Sequence, residues 1–335
     1  MTWQPNHRVK QQPVLTAPSP FIDSPTLLQV VGGTGQTGKE LISLLCALPS
    51  TVVSSIRVLV RTTPTTSPFP SDPRIVLVPG SLASGSALPS LSGVSVVVHT
   101  ASGKDYSSCL DVDCLSVSRL ASAAELAGVR RFVLVSSQLV HPSNRRMPIR
   151  GFLNSVVTGV WARYGLMDMK FVGEEFLRRA AATGTTLSYT IVRPGRLLDD
   201  KPSASSGGES GGPHSYSASN WLVAQNNVNL RGDLGGVYRR DLAALCVAAA
   251  LVGEAAADVT LEIGANKPEE GKGKDGTYYD NTDEAIAKWL AETGGDLFKG
   301  LSKDFDKGWG EDLKEFKEEC IEAISLSSLQ VCDVE

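Results

Sequence analysis

The residues best suited to chemistry in this chain are Gly32, Gly33, Thr34, Gly35, Gln36, Thr37 and Gly38. A largely apolar run, Leu27 to Val31, leads into them, and an apolar helical pattern at Leu41, Ile42, Leu44 and Leu45 follows at once. Strand, tight glycine turn and helix in that order form the entry to a dinucleotide-binding fold. Glycine is needed because a β-carbon would hold the backbone away from a pyrophosphate. The helix that begins at the turn points its N–H groups and the positive end of its dipole at the phosphates. Glycine-rich turns are common in α/β proteins; the seat between strand and helix makes this one informative.

The elements that must position this turn recur in a regular rhythm. Ile56 to Val60, Ile75 to Val78 and Val96 to Val98 read as the second, third and fourth strands. The last is all apolar, as a strand covered on both faces should be. Asp111 to Ala127 reads as a helix with Leu115, Leu120, Ala124 and Ala127 near one face, closed by Gly128. Phe132 to Val135, Leu187 to Val192 and Val259 to Ile263 complete the strands. Strands separated by helices imply right-handed crossovers and an α/β, Rossmann-like, doubly wound parallel sheet. The domain is drawn over residues 26–266, after a flexible tail at 1–25 and before a charged helical extension at 267–335. In that extension Trp289, Leu290, Phe298, Trp309, Leu313, Phe316 and Cys320 recur at helical intervals, predicting two or three amphipathic helices that form a cap or a partner surface. Lys201 to Ser219 is rich in Ser and Gly and reads as a mobile loop, either a lid or a tolerated insertion.

Further pieces share an order along the chain: Val58-Leu-Val-Arg61, His99-Thr-Ala-Ser102, Ala127-Gly-Val-Arg-Arg-Phe-Val-Leu-Val-Ser-Ser137, Tyr189-Thr-Ile-Val-Arg-Pro-Gly195 and Arg239-Arg-Asp-Leu-Ala243. With the glycine turn, they make residues 26–265 resemble an atypical short-chain dehydrogenase/reductase of the NmrA-like, NAD(P)-binding type. The turn itself is similar to that of biliverdin/flavin reductases. In this fold the end of the second strand faces the adenosine ribose, where an acid would bond the 2′-hydroxyl of NAD and an Arg can pair with the 2′-phosphate of NADP. Arg61 stands there, so the cofactor implied is NADP(H). Arg57, on the same face but nearer the other end of the strand, reads as solvated. Thr100, Ala101 and Ser102 are small, which suits a loop under the adenosine and ribose. Ser81 and Leu82 follow Gly80 where the resemblance would place an acid near adenine, and a hydroxyl can still contact the base. Pro194 and Gly195 set a sharp exit beside the nicotinamide. Arg193 reads as a structural ion-pair residue, Asp241 as a helix N-cap and His99 as strand-end packing.

The resemblance also implies a Ser after the fifth strand, then a Tyr and a Lys one helical turn apart. The Lys lowers the Tyr pKa and holds the nicotinamide ribose, while the Tyr moves the substrate proton. Ser136 and Ser137 fit the first role, and Lys170 fits the Lys or is solvated. Four residues before Lys170 stands Leu166, which transfers no proton. Tyr164 lies about 160° around a continuous helix from the required face. It serves only as an alternative donor, if the helix starts at Gly165 and the preceding loop folds back.

The chain of 335 residues carries a net charge of −4, and no Lys/Arg block suggests nucleic acid. Its six cysteines lack CxxC spacing or His partners, which speaks against a metal site. No apolar run approaches the ~20 residues of a membrane span. The first residues carry His7, Arg8 and Lys10 against a single acid, Asp23; a cytosolic tail is expected, with a plastid or mitochondrial transit segment as the alternative. Two functions follow: an NADPH-dependent reductase of a small, flat substrate that needs no Tyr donor, or a non-catalytic NADP(H)-binding regulator or assembly factor acting through the C-terminal helices. Val156 to Trp161 reads either as a platform for a flat ring or as ordinary core packing. Oligomeric state is left open.

Overall fold

A computed structural model of the chain describes residues 25–199, 221–225, 236–265, 282–304 and 318. Its strands are β1 (Thr26–Val31), β2 (Val53–Val60), β3 (Ile75–Pro79), β4 (Val96–His99), β5 (Arg131–Val135), β6 (Ser188–Pro194), β7 (Leu197–Leu198), β8 (Trp221–Ala224), β9 (Val237–Tyr238) and β10 (Val259–Ala265). Its α-helices are α1 (Gln36–Ala47), α2 (Tyr106–Cys109), α3 (Ser116–Leu126), α4 (Pro148–Thr158), α5 (Leu166–Thr183), α6 (Arg239–Leu251) and α7 (Asp283–Thr293).

Eight strands form one sheet in the order β3-β2-β1-β4-β5-β6-β10-β8, parallel up to β10, with β8 antiparallel at the edge. The strand order reverses at β1, between β2 and β4, so a crevice opens at the carboxyl ends of β1 and β4. This is the expected Rossmann-like sheet. β7 and β9 pair separately beyond it.

Apolar clusters cover both faces. On one, Leu41, Leu44 and Leu45 of α1 meet Leu242, Leu245 and Val247 of α6 over Val30, Val58 and Val98. On the other, Val117, Leu120 and Ala124 of α3 and Leu177 of α5 pack on Val97, Phe132 and Ile191. A third cluster joins the start of α5 to Leu139 and Val140 after β5.

Several expectations change. The helix drawn from Asp111 begins earlier, as α2, and passes through a π-helical turn at Leu110–Leu115 before α3. Its end is as expected: Gly128 takes φ +73°, its amide donates to Glu125 at 3.1 Å, and that of Val129 to Ala124 at 2.9 Å. That pair of bonds is a Schellman cap. Asp241 is not the N-cap of α6; Tyr238 is, and Asp241 lies in the first turn, where its charge complements the helix dipole. Arg57 donates to the carbonyl of Ser90 at 2.9 Å, a bond at the exposed surface.

One face of the beginning of the C-terminal extension packs into the core. Ile286, Trp289, Leu290 and Phe298 are buried in the cluster that α1 and α6 share. Asp283 accepts from Ser43 at 2.6 Å, and Arg240 pairs with both Asp283 and Glu40. Trp309, Leu313, Phe316 and Cys320 lie outside the described residues, as do the tail before residue 25 and the Lys201 to Ser219 loop.

Candidate functional site

The glycine turn is built by close approach of backbones. Gly32 has φ +86°, and a β-carbon on it would meet the Ala101 amide nitrogen at 2.5 Å and the Thr100 carbonyl carbon at 2.9 Å. Thr100 donates both its amide, at 2.8 Å, and its hydroxyl, at 3.1 Å, to the carbonyl of Val31. The loop after β4 is thereby pinned beneath the turn. A β-carbon on Gly33 would meet Val58 at 2.5 Å and Ile42 at 2.8 Å, so this glycine lets α1 press onto the sheet. Gly38 lies against the backbone of Gly32. Gly35 caps α1 without a side-chain bond, and no acid sits in the first turn. Thr34, Gly35 and Gln36 are exposed, whereas Thr37 is buried. The Gly35 amide turns back onto the Gly32 carbonyl at 2.9 Å, which closes the turn, and the exposed tip stands at the positive end of α1, which fits a pyrophosphate.

The other expected cofactor residues follow the carboxyl ends of several strands. Arg61 is exposed just past β2, the neighbour of β1. The Ser81 hydroxyl accepts from the Ala83 amide at 3.1 Å, and Leu82 packs against the α3 side of the sheet. Pro194 closes β6, and the Gly195 amide donates to Ile263 at 3.0 Å.

Where the resemblance places the catalytic residues, α5 begins at Leu166 with Gly165 as its cap. Leu166 is buried beside Leu139 and Val140, so an apolar side chain occupies the donor position. The helix start is the one Tyr164 would require, yet its ring packs in the same apolar cluster, with the Arg163 guanidinium 5.1 Å from its centre. Lys170 is not solvated: its Nζ donates to Asp113 Oδ1 at 2.6 Å, and the two side chains are 11% and 1% exposed. Asp113 Oδ2 accepts from the Gly103 amide at 2.8 Å and the Ser102 hydroxyl at 3.3 Å. One carboxylate thus ties Lys170 to the loop that underlies the glycine turn.

Ser137 caps the short turn Gln138–Val140, its hydroxyl accepting from Leu139 at 3.3 Å. Ser136 is buried close to Glu174 and favours that carboxylate's ionised form. Burial opposes ionisation of Glu174, but Arg193 and Arg178 outweigh it and pull the carboxyl down to about 2. Arg193 grips Glu174 bidentately at 3.0 and 2.5 Å, the structural ion pair expected of it. Burial, helped by the charge of Lys170, pushes His99 down to about 3. It lies 3.3 Å from the Ser116 hydroxyl and stacks on Phe132, as a packing residue.

Sequence reasoning missed Asp113, Glu174, the buried Arg150–Asp168 pair at 2.6 Å, and His141. His141 follows the turn after β5 and is pushed down to about 4 by burial and Arg193. The one local signal was Gly173, where a β-carbon would collide with the Asp113 carbonyl. That glycine lets α5 cross the π-helical turn closely enough for Lys170 to reach Asp113. Val156, Val160 and Trp161 are exposed, which overturns the reading of that stretch as core.

A doubly wound sheet with this turn at its switch point defines a Rossmann-like dinucleotide-binding protein, consistent with the atypical short-chain dehydrogenases/reductases. The chain belongs to the NAD(P)H-binding family, whose model matches residues 32–250. It is 30% identical over 183 residues to an uncharacterized chloroplastic protein of Arabidopsis thaliana, a match covering 52% of this chain and 60% of that one. Among solved structures, it resembles an oxidoreductase of Lactococcus lactis (TM-score 0.52, 18% identity, 79% of this chain and 97% of that one). It also resembles a putative NAD-dependent epimerase/dehydratase of Bacillus halodurans (TM-score 0.50, 19% identity, 78% and 99%). These likenesses are of fold. Among the described residues, no helix is long and apolar enough to cross a membrane, and no group of His, Cys, Asp or Glu is arranged to hold a metal ion.

Proposed function

We propose that this protein binds NADP(H) in preference to NAD(H) and reduces an acceptor that takes its proton from water, such as a flavin, a quinone or a tetrapyrrole-like molecule. The observation that carries the reading is Leu166, buried among apolar side chains where a tyrosine would move the substrate proton. Bound NADPH supplies a hydride there. The exposed tip of the turn, at Thr34 and Gln36, holds the pyrophosphate at the start of α1, and Arg61 pairs with the 2′-phosphate. Ser81, Thr100 and Ser102 line the adenosine side, while Pro194 and Gly195 wall the nicotinamide. Lys170, held by Asp113, reaches the nicotinamide ribose, and its charge is already balanced by that carboxylate. Ser136 and Ser137 are the hydroxyls on the sheet edge nearest the reaction. Tyr164, with its ring in an apolar cluster, is not assigned the proton.

The same Leu166 favours a second reading, in which the cofactor is held without turnover and the protein acts as a regulator or assembly factor. Titration of the protein with NADPH and NADH, followed by flavin, quinone and carbonyl panels, tests both. NADPH oxidation by flavins or quinones but not carbonyls supports the reductase. Tight NADPH binding without oxidation supports the regulator. Failure to bind either nucleotide overturns both. The chloroplastic relative supports a plastid address over a cytosolic one, which a fluorescent fusion of residues 1–25 would report.

A further inference from the structure

We propose that Asp113 is a positioning residue of the cofactor site: its carboxylate holds Lys170 and cancels its charge, so that the site does not discriminate by charge against the oxidised nicotinamide. The inference rests on the reading above, in which Lys170 reaches the nicotinamide ribose. Asp113 sits inside the π-helical turn Leu110–Leu115, a rare geometry often found at functional sites. Its side chain is 1% exposed, and both oxygens are used. Oδ1 accepts from Lys170 Nζ at 2.6 Å, and Oδ2 from the Gly103 amide and the Ser102 hydroxyl. The carboxylate thus joins α5 to the loop after β4. Two glycines bring these parts together. A β-carbon on Gly173 would meet the Asp113 carbonyl oxygen at 2.2 Å, and one on Gly103 the Cys109 amide nitrogen at 2.2 Å. Neither glycine adopts a positive φ, so close approach and not backbone conformation calls for them.

Charge is the second observation. A lysine that lowers a tyrosine's pKa must act as an uncompensated cation. Here Leu166 stands in the tyrosine's place, and a carboxylate balances the lysine. The two features agree: this lysine is kept as a hydrogen-bond donor and not as a source of field. An ammonium has three N–H groups, and Asp113 takes one, which leaves donors for ribose hydroxyls. The other ionisable groups on these elements are spent elsewhere. Asp111 accepts from the Ser84 amide at 3.1 Å, Asp105 caps α2, Asp168 pairs with Arg150, and Glu174 pairs with Arg193. Burial keeps His99 neutral. Burial also pushes the Cys109 thiol up to about 12; Asp113 adds to that rise and Lys170 opposes it, as an offsetting pair does. The nicotinamide ring is cationic when oxidised and neutral when reduced. An uncompensated ammonium beside its ribose would disfavour the oxidised form, and an uncompensated carboxylate would favour it. The pair does neither.

Isothermal titration of the full-length protein and its variants gives the ratio of the Kd of NADP+ to that of NADPH. Asp113→Asn should raise this ratio about tenfold, because the ammonium is left uncompensated. Lys170→Met should lower it about tenfold, because the carboxylate then stands alone. The double variant, with neither charge, should return the ratio to within about threefold of wild type. A merely structural role weakens both forms alike and leaves the ratio unmoved. Far-ultraviolet circular dichroism and the thermal midpoint verify that each variant is folded. A folded Asp113→Asn protein with an unchanged ratio overturns the proposal, as does a double variant that stays shifted. If Asp113→Asn does not fold, Lys170→Met decides, and an unchanged ratio there overturns the proposal too. NAD+ and NADH serve for the ratio if they bind more tightly. Wild-type protein that binds none of the four nucleotides overturns instead the reading on which the proposal rests.

Discussion

In the proposed function, Arg61 is the residue on which cofactor choice turns. Its guanidinium is exposed at the end of β2, with no acid in place to bond a ribose 2′-hydroxyl. Arg61→Ala should weaken NADPH binding about 10- to 100-fold, the worth of a charge-assisted pair, and leave NADH almost unchanged. Isothermal titration of both nucleotides measures this, and equal losses for the two would assign Arg61 a merely structural role. Acid stability is set by different residues. His99 is held near 3 and His141 near 4, both below the usual 6.5, so the folded protein keeps them neutral. The unfolded chain takes up their protons first, and stability should fall as pH drops below about 6.5. Glu174 is lowered from 4.5 to about 2, so its contribution is present above 4.5 and lost as pH falls toward 2. Urea midpoints across this range should decline in two stages, and His99→Asn should flatten the upper one.

At the scale of elements, the crossing of α5 over the π-helical turn decides what the active end can do. Gly173→Ala would ordinarily favour a helix by up to about 1 kcal/mol. Here the new β-carbon meets the Asp113 carbonyl, so the expected result is a loss of about 1–3 kcal/mol by urea denaturation. A stabilised variant would show that the crossing has room to relax. This crossing also marks where the sequence stopped being legible. The strands, the glycine turn and the cap at Gly128 follow from local pattern, because their bonds join residues close along the chain. Asp113 and Lys170 are 57 residues apart, and no periodicity pairs them. The π-helical turn was equally hidden, since a single wide turn at Leu110–Leu115 is too short to set a periodicity of its own.

The molecule as a whole depends on α7. Ile286, Trp289, Leu290 and Phe298 complete the cluster on the α1 side of the sheet. Burial of each large side chain is worth about 1.5–3 kcal/mol, and together they rival the ~5–15 kcal/mol that holds a typical domain. A chain ending at residue 265 should therefore be insoluble or lack a cooperative melt. A soluble, cooperatively folding 1–265 fragment would make the helix an appendage.

The sequence alone determined the glycine turn, the parallel sheet and the leucine that stands four residues before Lys170, because glycine tolerance, strand pattern and residue identity are local properties. Only the tertiary structure decided that Lys170 is charge-balanced by Asp113, that Glu174 and Arg193 form a buried pair, and that α7 belongs to the core. It also decided that Ile149, Phe152 and Val156 of α4 face outward while Leu153 and Val157 pack inward. Each of these depends on which distant surfaces meet, and burial and ion pairing take effect only once they do.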